Sequence, residues 1–286
     1  MMPWHGVLVA TALPLREDLT IDFDAYAEHV SWLVTSGCQG VVPNGSLGEY
    51  QTLTEAERVQ VMMTALSADG GGVVVPGVAA YGSAEARRWA ERAGEAGCPA
   101  VMLLPPNAYR ADRRAVLAHY REVAKAGLPI VAYNNPIDTK VDLTPELLAE
   151  LHNEGLIVGV KEFTGDVRRG YEIAEAAPGL DVIAGSDDVA LELALAGAKG
   201  WISGVTNALP AECVAFWEAA VKGDLDTALP AYRELHQLLR WDSKTEFVQA
   251  IKLMMDEVGR YGGPCREPRV PLTDEQAALL RSQMSR

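Results

Sequence analysis

Eight short apolar runs alternate with amphipathic stretches along most of the chain, and this alternation constrains the fold more than any other feature. The runs consist almost entirely of Val, Ile, Leu and Ala without regular polar alternation, which is typical of parallel strands buried on both faces. They span residues 6–12, 40–43, 73–78, 100–104, 129–133, 157–161, 181–184 and 200–203.

The stretches between these runs carry the signals of helices. Thr54 and Glu57 have the spacing of a capping box. Ser83 is placed to cap the next helix, and Pro145 occupies a first helical position, where the missing N–H has no consequence. The predicted helices span residues 21–35, 54–67, 83–96, 112–126, 144–151, 167–177 and 187–195.

Strands that alternate with helices of this length predict βαβ units and a parallel sheet. Eight units in about 205 residues fit an α/β fold of the (β/α)8 TIM barrel type, whose typical size is about 250 residues. An open doubly wound sheet is the alternative. It usually has a Gly-rich phosphate turn after its first strand, and here Thr11-Ala12-Leu13-Pro14 stands at that point. The pattern therefore favours the barrel.

The strand pattern ends near Pro210. Predicted helices follow at residues 212–222, 227–239 and 244–258, and a last one starts near Asp274. We expect residues 1–223 to form the barrel with the active site and residues 224–286 to form a C-terminal helical extension, almost purely helical. No linker rich in Pro, Gly or Ser precedes the extension, so we do not expect a separately spaced domain.

Composition limits the partners. The chain has 25 Lys and Arg against 39 Asp and Glu, a net charge of −14, so its surface should repel nucleic acid and anionic membranes. The apolar runs are far shorter than the ~20 residues of a membrane span, and the first residues do not resemble a signal peptide. The four cysteines lack CxxC spacing and the five histidines lack HxH or HExxH motifs. We therefore expect a cytoplasmic protein without a metal site.

In a barrel of this type, reactive groups lie at the C-terminal ends of the strands. Lys161 and Tyr133 end two adjoining predicted strands, and the loop from Asn44 to Glu49 follows another. A desolvated lysine has a lowered pKa, and its neutral amine can form a Schiff base with a carbonyl group. A neighbouring tyrosine can relay protons, and the hydroxyl and clustered N–H groups of the loop suit a carboxylate.

Each of these features also has a purely structural interpretation. The stem of Lys161 could pack on the barrel while its ammonium reaches water. Tyr133 could be a packing residue with a satisfied hydroxyl, and the loop could be an ordinary glycine turn.

Together, however, these residues resemble the dihydrodipicolinate synthase / N-acetylneuraminate lyase family of class I aldolases, over nearly the whole chain. Gly45-Ser46-Leu47-Gly48-Glu49 resembles the family loop Gly-(Thr/Ser)-Thr-Gly-Glu, and Tyr133-Asn134-Asn135-Pro136 resembles Tyr-Asn-x-Pro. Val158-Gly159-Val160-Lys161 resembles the segment of the Schiff-base lysine. Later segments that also match are Gly185-Ser186-Asp187-Asp188, Ile202-Ser203-Gly204 and Tyr261-Gly262-Gly263-Pro264-Cys265-Arg266.

The resemblance implies that Lys161 forms the Schiff base, that Tyr133 shuttles protons, and that Ser46 orients the tyrosine hydroxyl. The substrate would be a small 2-oxo acid or cyclic imine, and the assembly a homotetramer. Neither a metal nor an organic cofactor is expected, because the lysine supplies the electrophile. The expected substrate-binding residues are Gly45, Ser46, Leu47, Ser186, Ser203, Asn107 and Asp138.

Three departures from the family pattern bear on the substrate. Dihydrodipicolinate synthases carry an arginine for the carboxylate of their second substrate after the Tyr-Asn-x-Pro motif, and Asp138 stands there in this chain. They also place a second tyrosine after the fourth strand, where Asn107 stands and Tyr109 is displaced. Leu47 replaces the second loop threonine. These differences argue against an anionic aldehyde as a second substrate.

Two branches of the family look closer. Lys161-Glu162-Phe163-Thr164-Gly165 and Val205-Thr206-Asn207-Ala208-Leu209-Pro210 resemble the 4-hydroxy-pyrroline-2-carboxylate deaminases of hydroxyproline breakdown. Asn44-Gly45-Ser46 and the Tyr261 segment resemble 4-hydroxy-2-oxoglutarate aldolases. The first set lies nearer the strand ends, so the deaminase ranks first, the aldolase second and dihydrodipicolinate synthase third.

Two other classes remain as alternatives. A barrel that only senses a 2-oxo acid would bind it without turnover. A sugar-phosphate isomerase would need a phosphate cradle after strands seven and eight, where Asp187 and Asp188 would repel a phosphate. Asp138 and Asn107 could meet hydroxyl or amine groups of a 4-hydroxylated substrate, or they could face solvent.

Overall fold

Eight parallel strands curl into a barrel in the computed structural model, which describes residues 2–68 and 70–285. The strands are β1 (Gly6–Ala10), β2 (Gly40–Val42), β3 (Val73–Val74), β4 (Val101–Leu103), β5 (Ile130–Asn134), β6 (Gly159–Glu162), β7 (Asp181–Ala184) and β8 (Gly200–Ser203). Their order in the sheet is β3-β2-β1-β8-β7-β6-β5-β4. A parallel bridge between Gly77 and Met102 joins the two ends, which confirms the predicted barrel.

Helices follow the strands and cover the outside of the barrel. They are α1 (Phe23–Thr35), α2 (Glu55–Ser67), α3 (Ser83–Glu95), α4 (Arg113–Ala124), α5 (Pro136–Thr139), α6 (Pro145–Asn153), α7 (Arg168–Ala176), α8 (Ala190–Leu195), α9 (Pro210–Val221), α10 (Leu225–Leu239), α11 (Phe247–Glu257) and α12 (Asp274–Met284). The capping box of Thr54 and Glu57 is present. Ser83 does not cap α3: Gly82 holds that position, and the Ser83 hydroxyl shares a hydrogen bond of 2.9 Å with His119 Nδ1.

The strands differ in length from the predicted runs. β3 has only two residues, although the N–H groups of Val75 and Gly77 still donate to the carbonyls of Val41 and Pro43. Pro76, between them, has no N–H to donate. β5 and β6 each extend one residue further, to Asn134 and Glu162, which are register partners. Asn134 Nδ2 donates a hydrogen bond of 3.0 Å to Glu162 Oε2. The apolar pattern predicted that each strand ends one residue earlier. The strands continue because these two buried polar residues are hydrogen-bonded to each other.

The eighth strand is closed off from solvent by α9. Trp201 of β8 is fully buried, and its ring lies 5.7 Å from that of Phe216 and 5.9 Å from that of Trp217. Its indole N–H donates a hydrogen bond of 2.8 Å to Asp187 Oδ1. Packing on the outside of the barrel therefore fixes a carboxylate at the C-terminal end of β7.

The C-terminal part contains α10, α11 and α12, but residues 258–273 form no helix. The expectation that residues 224–286 are almost purely helical is wrong for this segment, because Pro264, Pro268 and Pro271 cannot donate the hydrogen bonds of a helix. The segment returns to the barrel, where Tyr261 Oη donates a hydrogen bond of 2.8 Å to the carbonyl of Leu15.

Helix length and hydropathy also bear on membrane insertion. Across residues 2–68 and 70–285, no helix combines the length and the apolar character that crossing a membrane requires.

Candidate active site

A cavity of about 1150 Å3 opens at the C-terminal ends of the barrel strands. It brings together seven of the residues that the sequence singled out: Gly45, Ser46, Leu47, Asn107, Tyr133, Asp138 and Lys161. Ser186 and Ser203 are buried and lie outside its lining. Their assignment as substrate-binding residues stays a prediction.

Lys161 and Tyr133 are register partners on β6 and β5. Lys161 Nζ lies 4.5 Å from the centre of the Tyr133 ring and 5.6 Å from that of Phe163, and each of the paired side chains is 5% exposed. Burial lowers the pKa of Lys161, against the opposing charges of Asp242 and Asp187. The amine is thus closer to its neutral, nucleophilic form than an exposed lysine would be.

The Tyr133 hydroxyl accepts a hydrogen bond of 3.2 Å from Asn135 Nδ2. The same amide donates to Asp138 Oδ2 at 2.9 Å, and the Asp138 N–H donates to Asn135 Oδ1 at 3.2 Å. Asn135 is therefore held on both sides, and the tyrosine keeps its own O–H proton available to the cavity.

The role of Ser46 toward Tyr133 stays a prediction. Among the side-chain hydrogen bonds in the described residues, none joins Ser46 to Tyr133, and Asn135 contacts the tyrosine hydroxyl instead. Asn135 is the variable position of the Tyr-Asn-x-Pro motif, and the sequence analysis gave it no role.

The loop after β2 lines the cavity with Gly45, Ser46 and Leu47. Asn44 and Glu49 bracket it with φ angles of 58° and 54°, which turn the chain tightly. Among the hydrogen bonds that the structure describes, none uses the N–H of Ser46 or Leu47. Free N–H groups at successive residues suit a carboxylate, as the sequence predicted.

The loop is fixed from behind by a buried ion pair. Lys252 Nζ of α11 lies 2.7 Å from Glu49 Oε1, and the Arg266 N–H donates to Glu49 Oε2 at 2.9 Å. Lys252 Nζ also donates to the carbonyl of Pro264 at 2.6 Å. The segment after α11 therefore holds the proposed carboxylate-binding loop in place.

Asp187 accepts four hydrogen bonds at the end of β7. The donors are Trp201 Nε1 at 2.8 Å, Ser203 Oγ at 3.1 Å, Gly204 N at 3.1 Å and Val205 N at 2.9 Å. Burial raises the pKa of Asp187 to about 6. Ser203 is thus engaged in this framework, and Asp187 has few free acceptor sites for a substrate.

Asp242 is a second buried carboxyl group, and the sequence analysis did not find it. It lies between α10 and α11, is 8% exposed and lines the cavity with Lys161 and Tyr133. A Cβ atom at Gly204 would lie 2.3 Å from Asp242 Oδ1, so only glycine leaves room for this carboxyl. Burial raises the pKa of Asp242 well above its usual range, and the charge of Asp187 adds to the effect.

Asn107 lies at the rim, where its Nδ2 donates a hydrogen bond of 3.3 Å to the Tyr50 hydroxyl. Tyr109 is 60% exposed and lies outside the cavity lining. Over the described parts of the chain, no group of three or more His, Cys, Asp or Glu residues is placed to hold a metal ion.

Comparisons of sequence and structure with known proteins all give matches to one family. The model of the dihydrodipicolinate synthetase family matches residues 3–286. A 4-hydroxy-tetrahydrodipicolinate synthase of Methanospirillum hungatei is 32% identical, with 99% of each chain covered. An "uncharacterized DapA-like lyase" of Rhizobium meliloti is 31% identical over 99% of this chain and 96% of the relative. The crystal structure of the dihydrodipicolinate synthase from Aquifex aeolicus is 27% identical and superposes with a TM-score of 0.94, covering 99% of this chain and 97% of that one.

Proposed function

Because the chain belongs to the dihydrodipicolinate synthetase family of class I aldolase-type lyases, we propose that it forms a Schiff base through Lys161 and acts as a 4-hydroxy-pyrroline-2-carboxylate deaminase. The buried pair of Lys161 and Tyr133 supports the first half of this proposal. The second half concerns the substrate and depends on the charges around the cavity.

The position and charge of Asp138 are the main argument for this choice of substrate. Its carboxylate lies in the cavity lining and is bonded to Asn135, at the point where the synthases of the family have an arginine. A carboxylate at this position repels an anionic second substrate. A reaction of one molecule, which needs only one carboxylate receptor, fits the site better.

The proposed reaction starts when the Lys161 amine attacks C2 of the cyclic imine. The ring nitrogen departs as a primary amine on C5 and takes the hydroxyl proton of Tyr133, which becomes a phenolate. The substrate carboxylate accepts hydrogen bonds from the N–H groups of Ser46 and Leu47. The iminium withdraws electrons, so Tyr133 can remove a proton from C3 while the hydroxyl group leaves C4. The C3–C4 double bond then shifts as a proton leaves C5 and C3 and C4 are protonated, which converts the C5 amine into an imine. Hydrolysis of the C5 imine releases ammonia, and hydrolysis of the C2 iminium frees Lys161. One water leaves and two are taken up, so one water is consumed overall.

Two other reactions use the same lysine and tyrosine. The names of relatives such as that of Methanospirillum hungatei favour a synthase as the second candidate, which would condense pyruvate with aspartate semialdehyde. The aldolase reaction would cleave 4-hydroxy-2-oxoglutarate into pyruvate and glyoxylate. A 2-oxo acid sensor would form the Schiff base without turning over any of these compounds.

A substrate panel tests the proposal. The purified protein is offered the cyclic imine, 4-hydroxy-2-oxoglutarate, and pyruvate with aspartate semialdehyde, while ammonia, pyruvate and 2-oxo acid are followed in parallel. We expect ammonia release from the imine, and none from Lys161→Ala. Efficient condensation of pyruvate with aspartate semialdehyde would contradict the interpretation of Asp138, and Asp138→Arg measures how far a cation there favours that condensation.

The homotetramer implied by the resemblance is part of the proposal. Tyr109 and Ile137, near the rim of the cavity, are 60% and 52% exposed, and apolar side chains of this size suit burial against a second copy of the chain. Light scattering on the eluting protein should give about four times the mass of the chain. The variant Tyr109→Glu should shift it to smaller species.

A further inference from the structure

The search for unexplained groups leads to the carboxyl group of Asp242. It is 8% exposed and lines the cavity. The backbone N–H of Asp187 donates a hydrogen bond to it, and no side-chain donor among the described residues does. Asp187, its buried neighbour, differs because four donors surround it.

Gly204 shows that the backbone makes room for this carboxyl group. Gly204 follows β8, and any side chain there would collide with Asp242 Oδ1. The carboxyl group is therefore seated against the end of the barrel, although it comes from the connection between α10 and α11. Gly204 also lines the cavity, so Asp242 and the end of β8 form one continuous wall.

The charges around Asp242 favour its protonated form. Lys161 on β6 would stabilise the carboxylate, whereas Asp187 and Asp188 after β7 disfavour it, and Tyr133 on β5 has no negative charge while its hydroxyl is protonated. Burial is the largest influence and raises the pKa of Asp242 well above its usual range. Asp242 and Lys161 line the same cavity, and a carboxylic acid there can donate a proton, which an ionised carboxylate cannot.

We propose that Asp242 is a further catalytic residue that donates a proton to the hydroxyl group leaving C4 of the substrate. The inference rests on the proposed function, which requires that hydroxyl to depart. The C4–O bond breaks as the electron pair from the C3–H bond forms the C3–C4 double bond. The hydroxyl takes the proton of Asp242 and leaves as water. Asp242 is left as a carboxylate and regains its proton from solvent before the next turnover.

In this mechanism a different side chain handles each of the two proton transfers of the elimination. Tyr133 receives the proton from C3, and Asp242 supplies the proton for the oxygen at C4. General acid catalysis of this kind contributes roughly 10²–10⁴-fold to a rate. Asp242 would also favour 4-hydroxylated substrates over 2-oxo acids that lack a leaving group at C4.

The test compares the wild type with Asp242→Asn, which keeps the size of the side chain and removes the acidic proton. Ammonia release from 4-hydroxy-1-pyrroline-2-carboxylate should fall by roughly 10²–10⁴-fold. The 4-fluoro analogue releases fluoride, which needs much less help from an acid, so fluoride release should fall by no more than about tenfold. Asp226→Asn is the matched control, because it removes an exposed carboxylate of α10 outside the cavity lining and should leave both rates unchanged.

Pyruvate, which has no C4, provides the measurement that separates the possible roles. Trapping of its adduct at Lys161, and exchange of its methyl protons in D2O, should proceed in Asp242→Asn at nearly the wild-type rate. Loss of trapping, or equal losses with the hydroxyl and fluoro substrates, would overturn the assignment and make Asp242 a positioning residue for Lys161. Wild-type protein that traps pyruvate but releases no ammonia from the imine would overturn the proposed function itself, and the role of Asp242 with it.

Discussion

The side-chain amide of Asn135 donates a hydrogen bond of 3.2 Å to the hydroxyl of Tyr133. This contact orients the hydroxyl, and Asn135 is in turn held by Asp138. The phenol at the centre of the proposed chemistry is thus aimed by a residue to which the family resemblance gave no role.

Removing the amide should therefore slow the reaction without stopping Schiff-base formation. We expect Asn135→Ala to lower kcat by about 10–100-fold, because a small misplacement of a proton-transfer group costs about that much. Tyr133→Phe should cost more, roughly 10²–10⁴-fold, since the group itself is lost. Steady-state kinetics measure both variants, and pyruvate trapping at Lys161 checks that each remains folded. Equal kcat values for Asn135→Ala and the wild type would show that the contact has no orienting role.

The pH dependence of adduct formation should reflect the burial of Lys161. Its pKa is lowered, and only the neutral amine attacks, so the reactive fraction rises with pH through that lowered value. Trapping of the pyruvate adduct with cyanoborohydride should level off at a pH below about 10.4, the value of an exposed lysine. A trapping rate that still rises beyond that pH would contradict a lowered pKa of Lys161.

The ion pair between Lys252 and Glu49 should be essential to stability. The two side chains are 2% and 0% exposed, so removing one partner leaves a buried charge without compensation. Lys252→Met should lower the free energy of unfolding by about 3–5 kcal/mol, measured by chemical denaturation. The double variant Lys252→Met with Glu49→Leu should recover part of the loss.

A surface pair serves as the control for that measurement. Arg281 and Glu257 are 53% and 33% exposed, and Arg281→Ala should change the free energy of unfolding by no more than about 1 kcal/mol. Similar losses in Arg281→Ala and Lys252→Met would mean that burial does not determine the strength of the Lys252 pair.

Stability at acid pH should depend on Glu57. Its pKa is lowered to about 2, mainly by hydrogen bonds from the Arg266 guanidinium. Because the folded pKa lies below the unfolded one, the stabilisation is complete above about pH 4.3 and is lost as the pH falls toward 2. The difference in Tm between the wild type and Glu57→Gln should shrink between pH 5 and pH 3. Glu95→Gln, at an exposed position outside the described ion pairs, should show no such trend.

The barrel could be predicted because buried parallel strands leave a clear signal. Continuous runs of Val, Ile and Leu between capped helices are compatible with few other folds. Lys161 could be recognised because it is a charged residue at the end of such a run. The end of β6 at Glu162 could not be predicted, because its carboxylate is satisfied by Asn134, which is distant in sequence. Pairing of polar groups across strands has no local signal.

Asp242 was missed in the candidate site for the same reason, because its environment depends on residues distant in sequence. Asp242 lies in a stretch of helices where an acidic residue is ordinarily a surface residue, and only the return of the chain to the barrel buries it. Gly204 gave the one local hint, since a glycine directly after a strand often marks close approach of another group. Ser203 was assigned to substrate from the family resemblance, and its hydroxyl donates a hydrogen bond to Asp187, a partner that the sequence alone did not indicate.

The contact of Glu49 with Lys252 and Arg266 also sets an order of events during synthesis. All eight strands and both reacting side chains have been made once the ribosome has passed residue 203. The groups that hold Glu49 lie in α11 and in the segment after it, and α9 and α10 lie between them and the last strand. The carboxylate-binding loop, which follows the second strand, therefore obtains its last contacts from a part of the chain that is synthesised after every strand of the barrel.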